Sequence, residues 1–223
     1  MSSSSEILLA SLPDVEGLRR LSQSLAMLDA IMSPEWDYRY YSFNSRWSEG
    51  EMMASMRDGS GDGYFILFTR AGAIMKGFAH ESAMTPWDIE PERVWPGVLE
   101  NVPQEFEEFL REPAFDMGNT TFCIWRRFGD SDWQTGKITY PQEPDPDGAE
   151  EMLQILSGDP AAYREFASQY YEREIPLPQV IPIYQHQPLT EEIVAALNNE
   201  TSLAALQTDI EEIGYPQGNN ETA

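Results

Sequence analysis

Two apolar runs, Tyr64 to Thr69 and Ala73 to Ala79, are separated only by Arg70-Ala71-Gly72. Three residues reverse a chain into a hairpin. They do not carry it over to a parallel neighbour, which takes a dozen residues or more. The pattern recurs downstream, where Thr120 to Phe128 and Trp133 to Tyr140 flank Gly129-Asp130-Ser131-Asp132. No strand–helix–strand unit is visible, which disfavours a doubly wound parallel sheet. The fold class that follows is α+β. An antiparallel sheet of four to five strands, built from hairpins and packed with helices, occupies residues 1–140, and a mainly helical C-terminal section follows.

Leu18, Leu21, Leu25, Leu28 and Met32 alternate in steps of three and four, so they share one helical face. Pro13, Asp14 and Glu16 suit its first turn, and Ser33-Pro34 ends it. Tyr38 to Phe43 reads as a strand. Glu51 to Met56 reads as one or two helical turns before the breaker Asp58-Gly59-Ser60-Gly61-Asp62-Gly63. Thr85 to Pro103 is an ordered loop with short turns. Pro103 then opens a helix with Val102, Phe106, Phe109 and Leu110 on one face, closed by Glu112-Pro113.

Residues 141–148 form the best linker, within what reads as a single domain over 1–223. The helical section, 149–213, starts with a short helix stopped by Gly158. A second helix, capped by Asp159 and opened by Pro160, shows the face Tyr163, Phe166, Ala167, Tyr170 and Tyr171. Four prolines from Ile175 to Pro188 predict an extended segment or edge strand. Helices over 191–198 and 202–213, capped by Thr190 and Thr201, close the fold, and 214–223 is expected to fray.

The 223 residues can bury about 70% of the unfolded surface. Disulfides and structural metals are therefore unnecessary. The formal net charge of -24 opposes nonspecific attraction to nucleic acid or to an anionic membrane. Residues 140–223 hold 16 acids against two arginines, so the acidity concentrates in the helical section. The N-terminus lacks the basic stretch of a secretory signal, and no apolar window reaches membrane-spanning length. The cytoplasm is the default location. Cys123 is the only cysteine and sits in the run Phe122-Cys123-Ile124-Trp125, where it reads as a small buried hydrophobe.

Motifs for chemistry are sparse. Asp58-x-Ser60-x-Asp62-Gly63 starts like a calcium loop, but its twelfth position, where a bidentate glutamate is needed, is Thr69. The glycines there lead into a strand, so they offer no helix N-terminus to a phosphate. His80 lies beside Glu81, and Met84 stands where a helical zinc motif needs its second histidine. His186 lies in the proline-rich segment. Neither a metal site, nor a cofactor, nor a catalytic residue is assigned. Trp133, beside the second hairpin turn, is the tryptophan read as exposed. With Asp130, Asp132 and His80 it makes up the candidate binding set.

The segment Val102-Pro103-Gln104-Glu105-Phe106-Glu107-Glu108-Phe109-Leu110 resembles the Leu-Pro-x-x-Tyr/Phe-x-x-Phe-Leu helix of the SUKH immunity-protein superfamily. The likeness covers nine residues. In that family the helix lies near the domain start and leads into an Asn-Gly turn, whereas here it is central and meets Glu112-Pro113. The resemblance implies a bacterial α+β protein that binds and neutralises a toxin, and no site residue is carried over. The expected function is a non-enzymatic acidic protein that complements a basic protein partner. The alternative is an enzyme with a carboxylate and His80 in a pocket between sheet and helices.

Overall fold

Hairpin follows hairpin along the sheet of this computed structural model, which describes residues 4–217. Its strands are β1 (Tyr41–Ser48), β2 (Glu51–Arg57), β3 (Gly63–Phe68), β4 (Gly72–Phe78), β5 (Phe122–Arg127) and β6 (Gln134–Thr135). They lie in sequence order, each antiparallel to the next. Among the described residues, eight α-helices complete the α+β fold: α1 (Ser4–Ser11), α2 (Val15–Met32), α3 (Glu107–Arg111), α4 (Ala149–Leu153), α5 (Pro160–Tyr170), α6 (Leu177–Tyr184), α7 (Glu191–Leu197) and α8 (Gln207–Ile213). None among the described residues is long and apolar enough to cross a membrane.

Side chains alternate across the sheet and feed two cores. Phe43, Ala54, Met56, Ile66, Met75 and Ile124 join the large one with the helices of both chain ends. Leu67, Ile74, Cys123 and Trp125 join the smaller one under Phe106, Phe109 and Phe115. The leucine stripe marks α2 correctly, and Asp14 caps it by accepting from the Gly17 N–H at 2.7 Å. Fourteen of its 18 residues are buried, so α2 is a central helix rather than a surface one. Its polar side chains are accordingly paired. Ser24 donates to the Ile183 carbonyl at 2.6 Å, and Gln23 donates to those of Ile213 and Gly214.

Several expectations need correction. Glu51 to Met56 is strand β2, not helical turns. Its Glu, Met and Ala favour helix only weakly, and pairing with β1 on one side and β3 on the other overrides that preference. Ile175 to Pro188 contains helix α6 rather than an extended strand. Pro178 sits in the first turn, where its missing N–H costs nothing, so only Pro182 deletes a helical bond. Burial of Val180 and Ile183 outweighs that loss. The last helix starts at Gln207 rather than Ser202. Before it, side chains of Asn198, Glu191 and Ser202 accept from the amides of Glu200, Leu203 and Ala205, and these bonds favour turns. The second hairpin is short, because β6 holds only two residues.

Residues 141–148 are tied down on the sheet. The Pro146 carbonyl accepts from Met84 N–H at 3.1 Å, and that of Asp147 accepts from the Thr121 hydroxyl at 2.7 Å. Asp145 receives the first amides of α4, those of Glu150 and Glu151, both at 2.9 Å. The tail does not fray at Gly214, which ends α8 in the left-handed region at φ 66. Tyr215 is buried, its hydroxyl 2.8 Å from the Gln187 carbonyl and 3.2 Å from that of Ile183. Residues 218–223 of the expected frayed tail lie outside the described residues. Tyr215→Phe is expected to lose about 1–2 kcal/mol in urea unfolding. A loss within a few tenths would show that the hydroxyl anchors nothing.

Candidate functional site

A cleft of about 600 Å³ opens between one end of the sheet and helices α4 and α5. Asp58, Asp62 and Ala79 border it from the strand ends, Glu151 and Met152 from α4, and Glu165 and Phe166 from α5. Tyr40 and Tyr41, where the chain enters β1, line it as well. Four of the lining residues are carboxylates. No lysine, arginine or histidine lines it among the described residues.

The loop acids are fixed by their own turn. Asp58 accepts from the amides of Ser60, Gly61 and Asp62 at 2.8, 3.1 and 3.0 Å, and from the Ser60 hydroxyl. Partial burial works to raise its pKa, but these hydrogen bonds outweigh it and the net shift is downward. The calcium-like spelling of this loop is thus used on backbone amides. Among the described residues, no group of three or more His, Cys, Asp or Glu is placed to hold a metal ion. Asp62 Oδ1 accepts from the His80 backbone N–H at 2.8 Å and stands 2.6 Å from His80 Nδ1. The hydrogen bond that His80 donates to Asp62 raises the His80 pKa.

Glu151 and Glu165 are exposed on the helical wall. Beside them the Tyr40 ring meets Phe166 at 4.8 Å and Tyr170 at 4.6 Å, while Phe166 and Tyr170 stack at an interplanar angle of 9°. The result is an aromatic wall flanked by carboxylates, which suits a cation with an apolar stem.

Behind that wall lies Asp29 of α2, with no exposed surface. Its Oδ2 accepts from the amides of Tyr40 and Tyr41 at 2.8 and 2.9 Å, and its Oδ1 from the Tyr163 hydroxyl at 2.8 Å. Burial pushes its pKa up to about 6 against the pull of those bonds.

Of the expected set, only His80 reaches this place, through Asp62. Trp133 is buried, not exposed. Its indole N–H donates to the Pro13 carbonyl at 2.7 Å and ties the edge of the sheet to the start of α2. Asp130 pairs with Arg127 at 3.0 Å across the hairpin turn, and Asp132 is an exposed neighbour that accepts from Ser131. Neither lines the cleft. Cys123 is buried, which pushes its thiol up to about 12. The sequence reading missed Tyr40, Glu151, Glu165 and Asp29. The signal for Asp29 was an acid between Leu28 and Ala30 in an otherwise apolar helical stretch.

The Asp62–His80 pair has the geometry of an oriented base. The cleft lining holds no serine, threonine, cysteine or lysine for it to activate, among the described residues. Compared with family models, with curated proteins and with solved structures, the chain finds no match in any of the three.

Proposed function

We propose that the chain is a non-enzymatic binding protein whose acidic cleft receives a basic side chain from a protein partner. The observation that carries this reading is the cleft itself: four carboxylates and an aromatic wall, with no lysine or arginine among the described lining residues and only Asp62 paired, to His80 behind it. A guanidinium or ammonium head would meet Glu151 and Glu165 while its methylene stem lies along Tyr40 and Phe166. The net charge of -24 would speed the encounter, and salt would slow it. The likeness of residues 102–110 to the SUKH helix points the same way, towards a basic toxin held by an acidic antagonist.

Calorimetric titration with a short arginine-rich peptide at low salt tests this. Glu151→Lys with Glu165→Lys is expected to weaken binding about tenfold or more, roughly 1.4 kcal/mol. Glu92→Lys with Glu108→Lys changes net charge equally outside the cleft and is expected to have a much smaller effect. Equal losses for the two pairs would reduce the cleft to mere net charge and sink the proposal.

The 2.6 Å Asp62–His80 contact favours the runner-up, an enzyme in which Asp62 orients His80 as a base. Under the binding reading, His80→Ala leaves peptide affinity within about twofold.

A further inference from the structure

The two walls of the cleft meet where Tyr40 packs on Phe166 and Tyr170 and where the Tyr170 hydroxyl donates to the Tyr38 carbonyl at 3.0 Å, and a side chain that lines neither wall joins them from behind. Oδ2 of Asp29 holds the amides of Tyr40 and Tyr41, which carry the sheet-side wall. Oδ1 holds the Tyr163 hydroxyl on α5, the helix that presents Glu165 and Phe166. We infer that Asp29 is a positioning residue that braces the cleft, and that the cleft widens when this carboxylate takes up a proton.

Three donors converge on the ionised carboxylate, and charge-assisted bonds of this kind are about twice as strong as neutral ones. A protonated carboxyl donates through one oxygen. Its Oδ1–H then points at Tyr163, whose own hydroxyl proton must turn away to another acceptor. The buried Tyr171 hydroxyl also faces Asp29, beyond the three bonds above, so a rearranged network has a place to go.

Among the described residues no cation pairs with Asp29. The groups facing Asp29 are Tyr40 and Tyr41 at the start of β1, Tyr64 on β3, Tyr163 and Tyr171 at α5, and Tyr184 on α6. All are phenols, and burial holds every one of them neutral through the physiological range. Arg39, in the segment before β1, is turned to Asp209 of α8 at 2.5 Å and to the carbonyls of Ser33 and Pro34. Arg173, after α5, rests on the Met32 sulfur. From α7 the neighbouring side chain is the neutral Asn198, bonded to the Ile31 carbonyl. Burial places the Asp29 titration at about 6, within reach of ordinary changes in pH.

The test needs no ligand, so its failure is separable from failure of the basic-partner reading. Nitroxide labels at Asp37→Cys, beside the sheet-side wall, and Glu165→Cys, on the helical wall, report the separation of the walls by electron paramagnetic resonance. Both positions avoid the loop that His80 holds. The distance distribution is expected to shift to longer values between about pH 8 and about pH 5, with a midpoint at about 6. Asp29→Asn, which donates to Tyr163 as the protonated acid does, is expected to show the acid-form distribution at both pH values. Tyr163→Phe, which cuts the brace from the other side, serves if the asparagine variant fails to fold, with the same expectation. An unchanged distribution in the parent protein overturns the inference. So does a pH shift that survives in either variant.

Discussion

Replacing Asp29 by asparagine is expected to leave the protein more stable at neutral pH, although it removes a carboxylate that accepts three hydrogen bonds. The reason is desolvation. Burial raises the Asp29 pKa from 3.8 to about 6, so the folded state binds the proton more tightly than the unfolded state does. Stability from this group is therefore full below about pH 4 and is lost as pH rises through about 6. The gap of roughly two pKa units corresponds to about 3 kcal/mol at neutral pH. Asparagine keeps an acceptor for the two amides and carries no charge to desolvate. In thermal unfolding, Asp29→Asn is expected to melt higher than the parent by roughly 6–12 °C at about pH 7, and to match it near pH 4. Parallel curves offset by a constant amount would refute the account. Asp147, whose pKa burial also raises to about 6, adds a slope of the same sign in both proteins. Local bracing and global stability thus run in opposite directions. The charge that gathers three donors is the charge that folding strips of water.

Gly136→Ala is expected to cost about 3 kcal/mol or more. A Cβ there would stand 1.8 Å from the Gly97 carbonyl oxygen and 3.0 Å from that of Glu100. Gly97, at φ 94, is equally constrained, since its own Cβ would meet the Lys137 carbonyl at 2.2 Å. These atoms are backbone, so neither side can turn a rotamer to make room. The two segments would have to part, which endangers the Trp95 indole bond to the Thr139 carbonyl at 3.1 Å and uncovers Val98. Gly129→Ala is the control, because a Cβ there meets nothing within 4 Å. Its urea midpoint is expected to stay near that of the parent. Similar midpoints for the two variants would show that the glycine contact is not what fixes this loop.

The same contact explains one limit of reading this sequence. Trp133 to Tyr140 has the spelling of a full strand, and its first residues do pair with β5. After Thr135 the chain meets Gly97 and leaves the ladder, and no period within 133–140 announces a partner 39 residues upstream. Hairpin β3–β4 was legible because its whole cause is local: two apolar runs and a Gly72 turn. The length of α2 was legible from its leucines, but its burial on nearly every side was not, because Ser24 and Gln23 look like a solvated face until Ile183 and Ile213 arrive to accept from them.

The cleft was less legible still. It takes Asp58 and Asp62 from the first part of the chain and Glu151 and Glu165 from the second. A charge tally that places the acidity in residues 140–223 therefore points to only two of the four carboxylates that line the cleft. The aromatic face of α5 was visible as a face. That Tyr163 turns inward to Asp29 while Phe166 turns to Tyr40 depends on packing between segments more than 120 residues apart.

The burial of α2 also bears on the order of events at the ribosome. This helix is made early, yet the carbonyls that satisfy Ser24 and Gln23 belong to residues 183, 213 and 214. At ordinary translation speeds those partners emerge roughly ten to forty seconds later. The sheet can zip strand by strand as it appears, because each strand pairs with the one just before it. The helix cannot be fully enclosed until residue 214 is out. Nascent chains therefore carry the Ser24 and Gln23 side chains of α2 without these partners until residues 183–214 have been made.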